Sequence, residues 1–389
     1  MEEDLIAKLR ELYTRNPLAQ KIVDKIHELA LKLRKDYDTI KIMDFCGTHE
    51  WTITHYGIRS LMPSNVELVA GPGCPVCITP AYYVDQLVKL SLEGTCILTY
   101  GDAFKLRGMG INGVYSLEDA KGAGGCVEVV YSILDAIKMA SNNKHREYVF
   151  FAIGFETTMP STASPISNKI IPSNLTFKIA HRFTPPIIKY LLDNVKDVEI
   201  HGVIAPGHVS TIIGSNAWKF IATEYNIPVV VAGFEPIDVL LAITEILKQL
   251  TTNNIRLYNE YSRAVKPEGN LKAKKLINKV FERQDSLWRG IGIVPKSGAV
   301  LKREYSKYDA NIKYSLKEPE KVDVQREIPP GCKCHEVVLG LSKPTDCPLF
   351  MKKCTPQTPY GPCMVSIEGT CRIWAEHGGA ILLNTRLIE

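Results

Sequence analysis

Eleven cysteines in a chain of 389 residues set the chemistry to be explained, because their spacing is uneven. Cys74 and Cys77 form a Cys-x-x-Cys turn, in which two thiols can close to a disulfide and Pro75 restricts the backbone between them. Thr79-Pro80 reads as a helix N-cap followed by proline at the first helical position. The pair would then precede a helix N-terminus, whose partial positive charge favours thiolate. The same spelling can be half of a zinc site, but no second pair with matching spacing lies nearby. Cys46 stands alone before Gly47-Thr48-His49. At a strand end it would face a ligand; in a core it would be an inert small hydrophobe. His49 can share the first helical turn and act as proton donor or support, or be a satisfied structural histidine. Six further thiols, Cys332, Cys334, Cys347, Cys354, Cys363 and Cys371, fall within 40 positions. Such density in a chain too long to need disulfide staples points to a metal or cluster site.

These groups must be carried by regular elements. Residues 4–35 read as one or two amphipathic helices, with Leu5, Leu9, Leu12, Ile22, Ile26, Leu29 and Leu33 at helical spacing. Short β-branched runs then alternate with helical stretches: Thr39–Phe45, Val66–Ala70, Cys96–Tyr100, Val127–Val130, Tyr148–Ile153, Thr176–Ala180, Ile200–Ala205 and Val229–Ala232. That alternation predicts an α/β fold of parallel sheets with crossover helices. A break near Pro160–Ser173 suggests two sheets. Pro329-Pro330-Gly331 marks a boundary before the cysteine-rich tail. The expected division is 1–37 as N-terminal helices, 38–160 as a first α/β domain with Cys46 and the Cys74/Cys77 pair, and 161–252 as a second. Residues 253–328 form a mixed connecting region and 329–389 a small C-terminal domain.

Ligands bind parallel sheets beyond the carboxyl ends of their strands. Cys46-Gly47-Thr48-His49-Glu50, Gly71-Pro72-Gly73-Cys74-Pro75-Val76-Cys77, Gly154-Phe155-Glu156-Thr157-Thr158, Ala205-Pro206-Gly207-His208 and Gly233-Phe234-Glu235-Pro236 all fall there. Five coincidences predict a crevice shared by the two α/β halves, the last two motifs belonging to the second. Thr157-Thr158 reads as a helix cap. Gly108-Met109-Gly110-Ile111-Asn112-Gly113 matches a dinucleotide fingerprint by spelling only, since it does not join a strand to a helix.

Several classes are excluded. The net charge of +5 is spread along the chain with no basic block, so nucleic acid is not expected as a partner. No apolar run approaches the ~20 residues of a membrane span. Met1-Glu2-Glu3-Asp4 is acidic where a secretory leader would be basic, so a cytoplasmic location is expected.

Taken together, Cys46-Gly47-Thr48-His49, Gly71-Pro72-Gly73-Cys74-Pro75-Val76-Cys77 and Gly154-Phe155-Glu156-Thr157-Thr158 resemble the HypD family of hydrogenase maturation factors. So do Cys347-Pro348-Leu349-Phe350, Cys354-Thr355-Pro356 and Gly361-Pro362-Cys363-Met364-Val365-Ser366. The resemblance spans roughly residues 40–375; Trp51 after Glu50 is a small departure. It implies two α/β domains plus a small domain holding a [4Fe-4S] cluster. It also implies a role in building the iron group with cyanide and carbon monoxide ligands of [NiFe] hydrogenases, with a HypC-type small chaperone as partner and a HypE-type protein as cyanide donor. Carried over, Cys46 matches the ligand of the iron under assembly, His49 its support, and Cys74 and Cys77 the redox pair. Cys334, Cys347, Cys354 and Cys371, with gaps of 12, 6 and 16 residues, are taken as cluster ligands, leaving Cys332 and Cys363 over. Cys96 and Cys126 match no motif and read as structural. An iron–sulfur thiol–disulfide reductase acting on a protein substrate would also explain the pair and the tail, but gives Cys46 and His49 no role. A zinc-stabilised binding module would explain the tail alone.

Overall fold

The computed structural model describes residues 17–195, 197–319, 323–324 and 326–378. The N-terminal helical pattern is therefore visible only as the Pro17–Leu33 helix, and Leu5, Leu9 and Leu12 lie outside the described residues. That helix packs Ile26, Leu29, Ala30 and Leu33 into the core beside the long Pro236–Thr252 helix.

All eight expected strands form, each within about two residues of its place in the pattern: β1 Ile40–Asp44, β2 Val66–Ala70, β3 Cys96–Thr99, β4 Val127–Val129, β5 Tyr148–Gly154, β6 Leu175–His181, β7 Gly202–Ala205 and β8 Val229–Val231. A ninth strand, β9 (Leu257–Asn259), and an antiparallel hairpin, β10 (Phe281–Trp288) with β11 (Gly292–Leu301), come from the mixed region. The strands of both α/β sheets run parallel. β5 and β6 are buried along their whole length, as expected where helices cover both faces.

The strands do not divide where the sequence pattern broke. One sheet has the order β2-β1-β7-β8-β9 and the other β4-β3-β5-β6. The chain starts the first sheet, leaves to build all of the second, and returns to finish the first. A boundary at 160–161 therefore cuts through the second sheet. Periodicity reports that a segment is a strand and which faces are buried; it carries no signal for which sheet the strand joins.

This topology places the motifs. β2, β1, β7 and β8 are four consecutive neighbours, so the segments after them share the carboxyl edge of a single sheet. The Pro206-Gly207-His208 and Gly233-Phe234 motifs thus belong to the Cys46 sheet and not to the other. Only Glu156 arrives from the second sheet. The β10–β11 hairpin ties into both: Phe183 donates its N–H to Ser297 O at 2.7 Å, and Arg289 donates its N–H to Ile78 O at 2.9 Å, one residue past Cys77.

Candidate functional site

Cys46 leaves β1 as the N-cap of the Gly47–His55 helix, in extended conformation (φ −145°, ψ 125°). Its thiol meets the first-turn N–H groups of Thr48 and His49, which favour thiolate. Burial, reinforced by the Glu368 carboxylate, outweighs them and pushes the thiol up to about 12. Cys46 is thus a half-buried neutral thiol whose proton a metal ion would displace on binding.

The segment carrying Cys74 and Cys77 packs against it. The Gly71-Pro72-Gly73 turn folds back over the end of β1, with Gly71 N–H donating to Asp44 O at 2.7 Å. A Cβ on Gly73 would fall 2.7 Å from the Cys46 backbone nitrogen, so only glycine allows the two segments to touch. Next to it, Cys74 and Cys77 are joined as a buried disulfide, and Cys77 N–H donates to Cys74 Sγ at 3.1 Å. On denatured protein, the peptide carrying both cysteines should take up two alkyl groups only after reduction. Equal labelling without reductant, read by mass spectrometry, would exclude the bond.

The helix after the pair begins at Ala81, with Pro80 at the N-cap and no side-chain cap of its own. Thr79 is not the cap expected from the sequence; its hydroxyl donates back to Pro75 O at 2.9 Å. The Ala81 N–H is taken instead by the Glu327 carboxylate. A cap 246 residues away has no local signature.

His49 is fully buried and placed differently from a free acid or base. Its Nε2 lies 2.9 Å from Gly233 O and 3.2 Å from Ala232 O, so Nε2–H donates to the β8 end and the ring is neutral. Burial draws its pKa down to about 4. The ring stacks on Phe234, with centroids 4.8 Å apart, and Phe234 stacks on His208 at 3.9 Å. His49 therefore pins the Cys46 helix to the loop after β8. The Glu156 carboxylate, also buried, accepts from Thr184 N–H at 2.9 Å and Thr184 Oγ1 at 3.1 Å, tying the ends of β5 and β6 together. Thr158 stands at an N-cap but its hydroxyl donates to Phe155 O instead of capping.

Sequence reasoning missed the groups that dock the tail here. Glu50 is buried and pairs with Arg59 Nη2 at 2.6 Å, while Trp374 Nε1 donates to Glu50 Oε1 at 2.6 Å. Trp374 sits on the Thr370–His377 helix, which begins beside Cys371. Trp51, the departure noted above, donates its Nε1–H to His377 Nε2 at 3.1 Å on that same helix. Glu368 packs so closely on the Cys46 helix that a Cβ on Gly47 would lie 2.6 Å from Glu368 O. Burial, helped by Asp102, pushes Glu368 up to about 7. Glu368 carries no motif signal, and Glu50, though it ends the motif after β1, had no role assigned from the sequence; the packing reveals what both do.

Within the tail, Cys334 is disulfide-bonded to Cys363, and Cys332, Cys347, Cys354 and Cys371 are free. Cys334, taken from the sequence as a ligand, is here bonded to Cys363, and Cys332, left over in that choice, stands among the free thiols. The Cys332 thiol hydrogen-bonds Cys347 and draws it well below the ordinary thiol range, while Cys332 itself is raised. Tyr360 and Gly361 donate their N–H groups to Cys354 Sγ at 3.4 and 3.3 Å. A Cβ on Gly361 would lie 2.6 Å from Cys332 Sγ. Cys371 is buried among the same thiols, feeling Cys354 and Cys347. Among the described residues no group of three or more His, Cys, Asp or Glu side chains is placed to hold a metal ion. Cys96 and Cys126 form a third disulfide between β3 and the start of β4. Three bonded pairs, four free tail thiols and Cys46 account for all eleven cysteines.

Comparison with known proteins follows these residues. A family model described as "HypD: Hydrogenase formation hypA family" matches residues 17–378. A putative hydrogenase expression/formation protein of Methanocaldococcus jannaschii is 44% identical over 364 residues, covering 92% of this chain and 97% of its own. Hydrogenase maturation factor HypD2 of Bradyrhizobium diazoefficiens is 43% identical, covering 88% and 91%. Hydrogenase maturation factor HypD of Escherichia coli is 39% identical, covering 87% and 89%. Among the described residues no helix is long and apolar enough to cross a membrane.

Proposed function

The chain belongs to the HypD family of hydrogenase maturation factors, and on that premise we propose that it is a redox-active scaffold for the iron group carrying cyanide and carbon monoxide. In this reading it works in the cytoplasm with a HypC-type chaperone and receives cyanide from a HypE-type protein. The observation that carries it is the contact of Gly73 with Cys46, which sets a lone thiol against a dithiol–disulfide pair. An iron bearing such ligands is a soft centre suited to thiolate. One thiolate from Cys46 leaves positions for a partner's ligand, which explains why the scaffold would act as a complex.

Release of cyanide from a protein thiocyanate needs two electrons. Cys74 and Cys77 as thiols can provide both: the S–CN bond breaks, the Cys74–Cys77 bond forms, and the two thiol protons leave on hydrogen cyanide and the donor's thiol. The pair must then be re-reduced. Cys332, Cys347, Cys354 and Cys371 would hold a [4Fe-4S] cluster, and the donor set fits: four free thiols, two backbone N–H groups aimed at Cys354 Sγ, and a glycine where Cys332 Sγ leaves no room for a side chain. When bound, such a cluster supplies electrons one at a time. His49, neutral and bonded to Gly233 O, holds the Cys46 helix in place.

The test is an infrared and visible spectrum of the protein purified anaerobically with its small chaperone. Cyanide and carbonyl stretches together with broad sulfur-to-iron absorption are expected. Absorption without either stretch would overturn the scaffold reading in favour of a thiol–disulfide reductase.

A further inference from the structure

The β10–β11 turn carries a residue that neither the family motifs nor the reading above uses. Arg289 is 2% exposed, yet among the described residues no carboxylate lies within ion-pair distance of it. Its Nε donates to the backbone oxygen of Glu327 at 2.7 Å, and its Nη1 is buried with no hydrogen-bond partner. A buried guanidinium without a counter-ion is costly, and buried charges are normally paired. The negative charge that completes this one is to be sought around it.

Its position narrows the search. Arg289 N–H is bonded to Ile78 O, just past the Cys74–Cys77 disulfide. Glu327, on its other side, leads through Ile328 and the two prolines to Cys332. The adjoining Gly290 fits so tightly that a Cβ there would lie 2.6 Å from His335 Cβ, next to Cys334. A cavity of about 560 Å3, lined by Arg107, Tyr115, Arg289, Glu327, Pro330 and Tyr360, runs along the same wall. The nearby acids make no direct bond to it: the Glu327 carboxylate accepts from Ala81, and the Asp85 carboxylate accepts from Met109 and Gly110. Burial works against the charged guanidinium, and Glu327 first, then Cys332 and Asp85, are the neighbours that favour it.

We propose that Arg289 is a positioning residue for charge: its buried guanidinium, held between the disulfide turn and Cys332, stabilises the extra negative charge that the tail thiolates and their cluster acquire on reduction. This rests on the reading of Cys332, Cys347, Cys354 and Cys371 as cluster ligands. One-electron reduction adds one negative charge to a body already carrying four thiolates, and a fixed cation in a poorly solvated site opposes that build-up. The cluster would therefore accept an electron more readily next to the pair it serves.

The experiment is a potentiometric titration of the reconstituted full chain with dithionite, followed by the paramagnetic signal of the reduced cluster. Arg289→Gln is expected to lower the reduced-to-oxidised ratio at fixed potential at least tenfold, which is 59 mV for a one-electron couple. Arg289→Lys, which keeps the charge, should recover most of the shift. An unmoved potential in Arg289→Gln with full cluster content would overturn the proposal. Should that variant lose its fold, Glu327→Gln serves instead: removing an opposing charge should raise the potential, and no change would be equally fatal. A wild-type chain that takes up no cluster would sink the ligand reading and this inference with it, an outcome plainly distinct from an unshifted potential.

Discussion

Replacing Cys46 with alanine is expected to abolish retention of iron carrying cyanide and carbon monoxide, while the visible absorption of the tail cluster persists. The separation of the two effects follows from geometry. Cys46 sits on the carboxyl edge of the five-stranded sheet, whereas the four free tail thiols belong to a different module that reaches it through Glu368, Trp374 and His377. The change removes only a sulfur: the backbone at the N-cap, its contact with Gly73 and the His49 bond to Gly233 do not depend on the side chain. A half-buried cysteine replaced by alanine should cost about 1 kcal/mol, too little to unfold a domain of this size. Infrared spectra of the complex with its chaperone would read the outcome. Undiminished cyanide bands in the alanine variant would mean that another group holds the iron.

A second large effect separates two neighbouring cysteines. Cys332→Ala is expected to lose most of the cluster, measured as iron per chain and as visible absorption after anaerobic reconstitution. The Cys334→Ala, Cys363→Ala double variant should keep it. The physical basis is that Cys334 and Cys363 are bonded to each other, while Cys332 touches Cys347 and lies against Gly361, whose N–H serves Cys354. The double variant is preferred because removing one partner would free a thiol that could enter the site. The reverse result, with Cys332 dispensable and Cys334 essential, would restore the ligand set inferred from spacing.

That ligand set shows where reading a sequence stops. Six cysteines within 40 positions announce sulfur chemistry, and any four of them satisfy the same count. Cys332 and Cys334 are two residues apart, so spacing barely separates them, and their fates are decided by the turn at Pro330-Gly331 and the short Cys334–Val338 helix. The Cys74/Cys77 pair was legible because its chemistry is local: two thiols three residues apart meet whatever the rest of the chain does. Its setting was not, since the helix that follows is capped by Glu327. From its residue type His49 read as a proton donor, a support or a structural histidine; complete burial and the Gly233 carbonyl make it a neutral fastener.

The strands themselves were readable for a simple reason. A parallel strand covered on both faces must be a short unbroken apolar run, and such runs are visible one segment at a time. The pairing of strands, and hence which motifs share an edge, depends on contacts between residues more than a hundred positions apart, as where β1 pairs with β7 through Ile42 and Gly202. The same holds for Glu50 against Trp374, Glu368 against Gly47 and Arg289 against Ile78. Residue type and short-range spacing determined what this protein can react with. Long-range packing alone decided which thiols are free, which are bonded and which charges lie beside them, because burial and proximity are properties of the folded chain and not of its letters.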